Sequence, residues 1–101
     1  MTDKLVVALL FGGRSSEHSI SCATAAGVLD AIDRDRYDVI PVGITREGAF
    51  TLQPDDASLF ALNAEKMPTV PDNGSRIRWP EDARSRELCV TEAGETRSLG
   101  T

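Results

Sequence analysis

Leu5 to Phe11 reads LVVALLF, a continuous apolar run closed by Gly12-Gly13. Such a run suits a strand buried on both faces, as in a parallel sheet covered by helices. The next thirty residues narrow the fold further. After the bend, Ile20, Ala23, Thr24, Gly27, Val28 and Ala31 fall at helical spacing on one face. Gly27 lowers helix propensity but lets a helix lie close on a sheet. Asp33-Arg34-Asp35 ends the pattern, and Tyr37 to Ile44 (YDVIPVGI) reads as a second strand. Pro41 denies that strand one ladder bond, which puts it at an edge or past the paired stretch. Strand, helix, strand in this order implies a right-handed crossover and a parallel pair.

Thr45-Arg46-Glu47-Gly48 reads as a turn, with Ala49 to Gln53 returning as an antiparallel strand. Pro54-Asp55-Asp56 opens a short helix expected to run to about Asn63, with Pro54 near its first position. From Met67 to Arg86, Pro68, Pro71, Gly74 and Pro80 punctuate a polar stretch with little periodicity, the pattern of a loop excursion. Trp79, beside Pro80, reads as a packing anchor, because no basic-aromatic signature accompanies it. Glu87 to Thr91 and Thr96 to Leu99 pair as a small hairpin around Ala93-Gly94-Glu95.

Bulk properties bound the function classes. The 101 residues are enough for one domain with a modest core. A net charge of −5 argues against nucleic acid or an anionic membrane as the main partner. No apolar run approaches the roughly 20 residues that span a bilayer. The start lacks the cationic region and small-residue cleavage site of a signal peptide. Cys22 and Cys89 form no C-x-x-C pair and have no histidine cluster beside them, so two reduced, cytoplasmic thiols and no metal site are expected.

The segment from Gly12 to His18 (GGRSSEH) carries the chemistry. A strand running into glycines and then a helix resembles many phosphate sites, because helix N-termini offer free N–H groups and positive potential. The fingerprints fail here: G-x-G-x-x-G is not matched, and the Gly-Lys-Ser/Thr of the P-loop is absent. Glu17 also puts negative charge where a phosphate needs the opposite. Two compatible readings of Glu17 stand. It is an acid in the first turn of a helix, with Ser15 or Ser16 as N-cap. It also lies at the C-terminal end of the first strand, where open α/β sheets bind ligands and where a carboxylate holds a cation such as an ammonium. His18 points about 100° around the helix from Glu17 and, as a lone histidine, reads as a hydrogen-bonded structural residue. Arg14 reads as a solvated loop charge. No Ser-His-Asp order or second close carboxylate is present, so complete catalytic machinery within these residues is not expected.

VVALLFGGRSSEHSIS followed by CATAAGVLDAIDRDRYDVIPVGITREGAF resembles the N-terminal segment of D-alanine–D-alanine ligases, ATP-grasp enzymes of peptidoglycan synthesis. The likeness is close over residues 5–53 and looser from Pro54 to Thr101. It implies a Rossmann-like (pre-ATP-grasp) three-layer α/β domain with a mostly parallel sheet, truncated here and followed by the hairpin. Residues 1–101 are then a partial N-terminal substrate-binding domain, with the central and C-terminal ATP-grasp domains absent. By the same resemblance Glu17 is catalytic and substrate-binding, helping to hold the ammonium of the first D-alanine. Gly12, Gly13, Ser16 and His18 complete the substrate loop, and the glycines allow a sharp turn rather than cradle phosphate. Ligases of this kind transfer the γ-phosphate of ATP to that D-alanine's carboxylate. The amine of a second D-alanine then attacks the acyl phosphate, with Mg2+ or Mn2+ stabilising the developing charge. ATP and metal are expected in the full-length enzyme and neither on this chain.

The family's H-G-x-x-G-E-D-G does not occur before Thr101, and Ser19 stands where the family often has an acid. The chain alone is expected to be an inactive fragment. Expected partners are D-alanine, the remaining ligase domains and a second copy of the protein, in the cytoplasm, with no nucleic acid and no membrane. Two alternatives stay open. One is a D-alanine–D-lactate ligase domain, since the residues that select the second substrate lie beyond Thr101. The other is a self-standing α/β module that binds a small ligand or a partner through the Gly-Gly bend.

Overall fold

The computed structural model describes residues 4–61 and 67–100. Strand β1 (Leu5–Gly12) leads through the bend into helix α1 (His18–Ala31) and on to strand β2 (Tyr37–Ile44). β1 and β2 pair in parallel from Leu5↔Tyr37 to Gly12↔Ile44, as the strand-helix-strand order requires. A turn closed by the Gly48 N–H donating to the Thr45 carbonyl at 2.9 Å returns the chain as β3 (Phe50–Leu52), antiparallel to β2. These strands form one sheet in the order β1-β2-β3. A single 3-10 turn (Ala57–Leu59) follows, capped by the Asp56 carboxylate accepting from the Ser58 N–H. The expected helix is reduced to that turn, and its expected end at Asn63 lies outside the described residues. Strands β4 (Arg76–Arg78), β5 (Leu88–Glu92) and β6 (Glu95–Gly100) then build a second, wholly antiparallel sheet.

The period of two along β1 and β2 sorts the core into two clusters. Phe11, with Leu9 and Val39, faces α1 and packs with Cys22, Ala25, Ala26, Leu29, Phe60 and Val70. Ile40 and Val42, joined by Val6 and Leu52, face the other way and meet Ile77, Leu88, Val90 and Leu99 of the second sheet. The layers are therefore helix, mixed sheet, antiparallel sheet. The α/β class expected from the sequence holds, but a mostly parallel sheet does not describe these residues, whose third layer is an antiparallel sheet. The third layer is a sheet because the stretch after Met67 supplies strands where a second crossover would supply a helix.

Five local expectations change with it. The buried face of α1 is His18, Cys22, Ala25, Ala26 and Leu29, whereas Ile20 and Val28 are 58% and 38% exposed. Gly27 meets nothing within 4 Å, so it is not a point of close approach. β1 is not buried on both faces: Leu5 is 67% and Leu10 46% exposed, because β1 is the edge of its sheet among the described residues. Pro41 lies inside β2, paired with Leu9, rather than past the paired stretch. Its carbonyl accepts from the Gln53 N–H at 3.0 Å on the β3 side, just beyond the end of β3. A strand residue points its N–H and C=O to the same side, so the missing N–H falls where the ladder is ending anyway. Finally, the stretch from Met67 to Arg86 contains β4 and is not simply a loop.

The hairpin forms as expected. Ala93 and Gly94 take φ of 51° and 83°, the two positive values that a two-residue hairpin turn with the right twist demands. Trp79 packs edge-on against Phe50, with ring centroids 5.7 Å apart. Cys22 and Cys89 are free thiols, and burial pushes Cys22 above its ordinary value, which keeps it in the unreactive thiol form.

Candidate functional site at the glycine bend

The bend is built from glycine conformations and side chains of α1. Gly12 and Gly13 take φ of +89° and +102°, the region that favours glycine. A Cβ on Gly12 would stand 2.4 Å from the Ile44 carbonyl oxygen and 2.8 Å from Val70. Backbone and helix pass too closely there for any side chain. The Gly12 N–H donates to Ser21 Oγ at 2.9 Å, and the Gly13 N–H to the Ile44 carbonyl at 2.7 Å. Both glycine amides are thus committed within the protein and are not available to cradle a phosphate. The reading of the glycines as a sharp turn fits this geometry.

Glu17 is exposed and occupies the N-cap position of α1, one residue ahead of its place in the expected first turn. Its side chain makes no cap hydrogen bond. Ser15, expected as a cap, instead closes a turn before the helix: its Oγ accepts from the Glu17 N–H at 3.1 Å, and its carbonyl from the His18 N–H at 3.2 Å. Glu17 lines an open groove of about 390 Å³, together with Gly12, Ser15, Ser21, Leu10, Ile20 and Val28. That groove runs along the free edge of β1, at the C-terminal end of the strand.

Of the residues singled out from the sequence, the structure brings Gly12 and Glu17 to this groove. Gly13 does not line it, and its carbonyl lies 2.6 Å from His18 Nδ1. Ser16 is exposed on the same turn but does not line the groove. His18 is fully buried, with both ring nitrogens bonded: Nδ1 to the Gly13 carbonyl at 2.6 Å and Nε2 to the Val70 N–H at 3.0 Å. It stands inside the bend and has no nitrogen left for a ligand. Ser15, which the sequence offered only as a cap, and Ser21, which sequence reasoning passed over, share the groove with Glu17. Ser21 was accessible to inference, because a residue four positions after Glu17 shares its helix face. Arg14 is exposed and lays its stem over Gly48, and Ser19 sits 3.4 Å from the Arg46 guanidinium.

The family described as D-ala D-ala ligase N-terminus matches residues 6–98. This chain belongs to the D-Ala–D-Ala ligase N-terminus family. The D-alanine–D-alanine ligase of Paenarthrobacter aurescens (strain TC1) is 45% identical over 92 residues, 91% of this chain and 24% of that protein. That of Kineococcus radiotolerans is 51% identical over 82 residues, covering 81% and 22%. Among solved structures, the VanG D-Ala:D-Ser ligase from Enterococcus faecalis is similar at a TM-score of 0.54 with 31% identity, over 57% of this chain and 17% of that one. The D-alanine–D-alanine ligase from Coxiella burnetii gives 0.52 with 28% identity, over 63% and 18%. The chain spans about a quarter of the length of the curated relatives it matches.

This ligase N-terminus has a second cavity, of about 490 Å³, between Gln53–Ala61 and Met67–Asn73. Its described lining residues include no titratable side chain, whereas the groove has Glu17. Among the described residues of the ligase N-terminus no three His, Cys, Asp or Glu side chains gather, and the amides of Gly12 and Gly13 are already bonded.

Proposed function

We infer that the chain is the partial substrate-binding domain of an ATP-dependent ligase that joins two D-alanine molecules for peptidoglycan, with Glu17 holding the ammonium of the first. The observation that carries this reading is the carboxylate of Glu17, exposed at the C-terminal end of β1 and taking no part in capping the helix that it begins. An ammonium seated there gains a charge-assisted hydrogen bond worth about 1.5–3 kcal/mol. Gly12 and Gly13 bring Glu17 back over the strand end, while Ser16, exposed on the same turn, lies outside the groove. This chain's share of the reaction is to hold and orient the amino acid. Phosphoryl transfer from ATP, with Mg2+ or Mn2+, belongs to the central and C-terminal ATP-grasp domains of the full-length protein, which works in the cytoplasm as a homodimer. D-alanine is favoured over D-lactate or D-serine as second substrate. Relatives 41% to 52% identical are named D-alanine–D-alanine ligases, and the D-Ala:D-Ser ligase is 31% identical.

In the full-length protein, Glu17→Gln should raise the KM for the first D-alanine by roughly one to two orders of magnitude. Stability should change by no more than about 1 kcal/mol, since only the helix-dipole interaction is lost. Unchanged D-alanine kinetics with a lower melting temperature would make Glu17 a structural acid and end this reading. The 101-residue chain alone should release no phosphate from ATP and D-alanine above the enzyme-free rate. Release proportional to purified chain would mean that these residues hold the nucleotide after all.

A further inference from the structure

Two partners of the Gly-Gly bend flank Glu17 on α1. Ser21 accepts from the Gly12 N–H, and His18 donates to the Gly13 carbonyl. The His18 ring also accepts from the Val70 N–H, 52 residues further along the chain. A carbonyl only accepts and an amide N–H only donates, so the two bonds admit one form of the ring: neutral, with its proton on Nδ1. The ring lies against the bend, since a Cβ on Gly12 would fall 3.2 Å from His18 Cε1. Val70 is itself buried in the cluster around Phe11 and Phe60, so the ring fastens the bend to the core rather than to a loose segment.

We propose that His18 is a positioning residue, which acts on the ligand through Gly13. It fixes the bend so that the Glu17 carboxylate, one residue before it, meets the ammonium of the first D-alanine. The proposal rests on Glu17 holding that ammonium. His18 does not touch the ligand, being fully buried with both nitrogens engaged. A histidine that only supports the fold would affect stability and leave substrate affinity alone. One that positions Glu17 acts on affinity through the Gly13 bond in particular.

Two amide side chains separate its bonds. Asn places its amide nitrogen where Nδ1 stands and keeps the donor to Gly13. Gln reaches to where Nε2 stands and keeps an acceptor for Val70. The first measurement is 15N NMR of the chain, whose single histidine makes the ring signals unambiguous. A proton on Nδ1 alone is expected at neutral pH, and a proton on Nε2 overturns the proposal. The second is steady-state kinetics of the full-length ligase. His18→Gln should raise the D-alanine KM about tenfold with kcat changed less than about twofold, while His18→Asn stays within about twofold of the parent. Equal KM values in the two variants, raised or not, overturn positioning through Gly13. Glu17→Gln run alongside tells the two failures apart. If it raises KM while the His18 variants do not split, the positioning proposal alone falls. If it leaves KM unchanged, the ammonium reading falls and takes the positioning proposal with it.

Discussion

Gly12 and Gly13 look interchangeable in the sequence, yet the structure gives them different work. Both need positive φ, but only Gly12 is hemmed in by backbone, with the Ile44 carbonyl 2.4 Å from the place a Cβ would occupy. Gly13 has nothing within 4 Å of that place. Gly13→Ala should therefore carry little beyond the conformational cost of about 1–2 kcal/mol. Gly12→Ala adds a clash with backbone that cannot yield without moving β2, and should cost at least about 3 kcal/mol. Chemical denaturation of the two variants checks this, and equal losses would mean that the strands shift freely at this point. The turn itself was legible from two adjacent glycines after an apolar run. That His18 is hydrogen-bonded and structural was legible as well, but its second partner was not, because Val70 lies in a stretch with no periodicity to read. Spacing along a helix says which way a side chain points. It does not say which distant backbone amide waits there.

Helix α1 shows where periodicity loses its power to choose. Small or apolar residues surround it almost completely, so its sequence offers more than one stripe that could face a sheet. The stripe of His18, Cys22 and Leu29 is buried, and the one with Ile20, Thr24 and Val28 flanks the groove instead. Strands β1 and β2 were legible to within a residue because long apolar runs between turn signals leave little choice. β4 was hidden by its three residues, Arg-Ile-Arg, too short for alternation to register. The turn that leads into it is held by charge. Arg76 grips Asp72 through two nitrogens at 2.9 Å each, and the Gly74 N–H adds a bond at 3.0 Å. The Arg76 hydrogen bonds, foremost, hold the Asp72 carboxyl at about 2, below its ordinary 3.8. A carboxyl whose folded value is depressed stabilises the fold above its unfolded value and ceases to as pH falls through the folded one. Asp72→Asn should thus be less stable than the parent at pH 6, and the gap should close between about pH 4 and pH 2. Denaturation at a series of pH values tests this, and a gap that persists at pH 2 would assign the loss to the Gly74 turn rather than to the ion pair.

The layers leave one side of the molecule unfinished. β3 covers one edge of β2, and the antiparallel sheet covers the face through Leu88, Val90 and Leu99, but β1 has no strand on its outer edge among the described residues. The hairpin of β5 and β6 approaches β1 only across the face, where Gly100 lies against Val6, and it forms no ladder with it. Free N–H and C=O groups therefore run beside the exposed side chains of Leu5 and Leu10 and the groove of Ile20 and Val28. An apolar strand edge of this kind recruits other chains, since ladder bonds and apolar burial are available together. A longer ligase chain would offer further polypeptide as cover. For the 101 residues alone, a second copy is the simplest one, edge to edge about a two-fold axis. Burying Leu5 and Leu10 would contribute about 1.5–3 kcal/mol each. The chain should accordingly sediment as a dimer at micromolar concentration. Leu10→Lys, which places a charge on an exposed position of that edge, should return it to a monomer with its melting temperature little changed. Val7 is the poorer choice, because it is half-buried and a lysine there would disturb the fold as well. A parent chain that sediments as a monomer while the β1 amides resist hydrogen exchange would mean that the edge is closed from within, and would remove the reason to expect self-association.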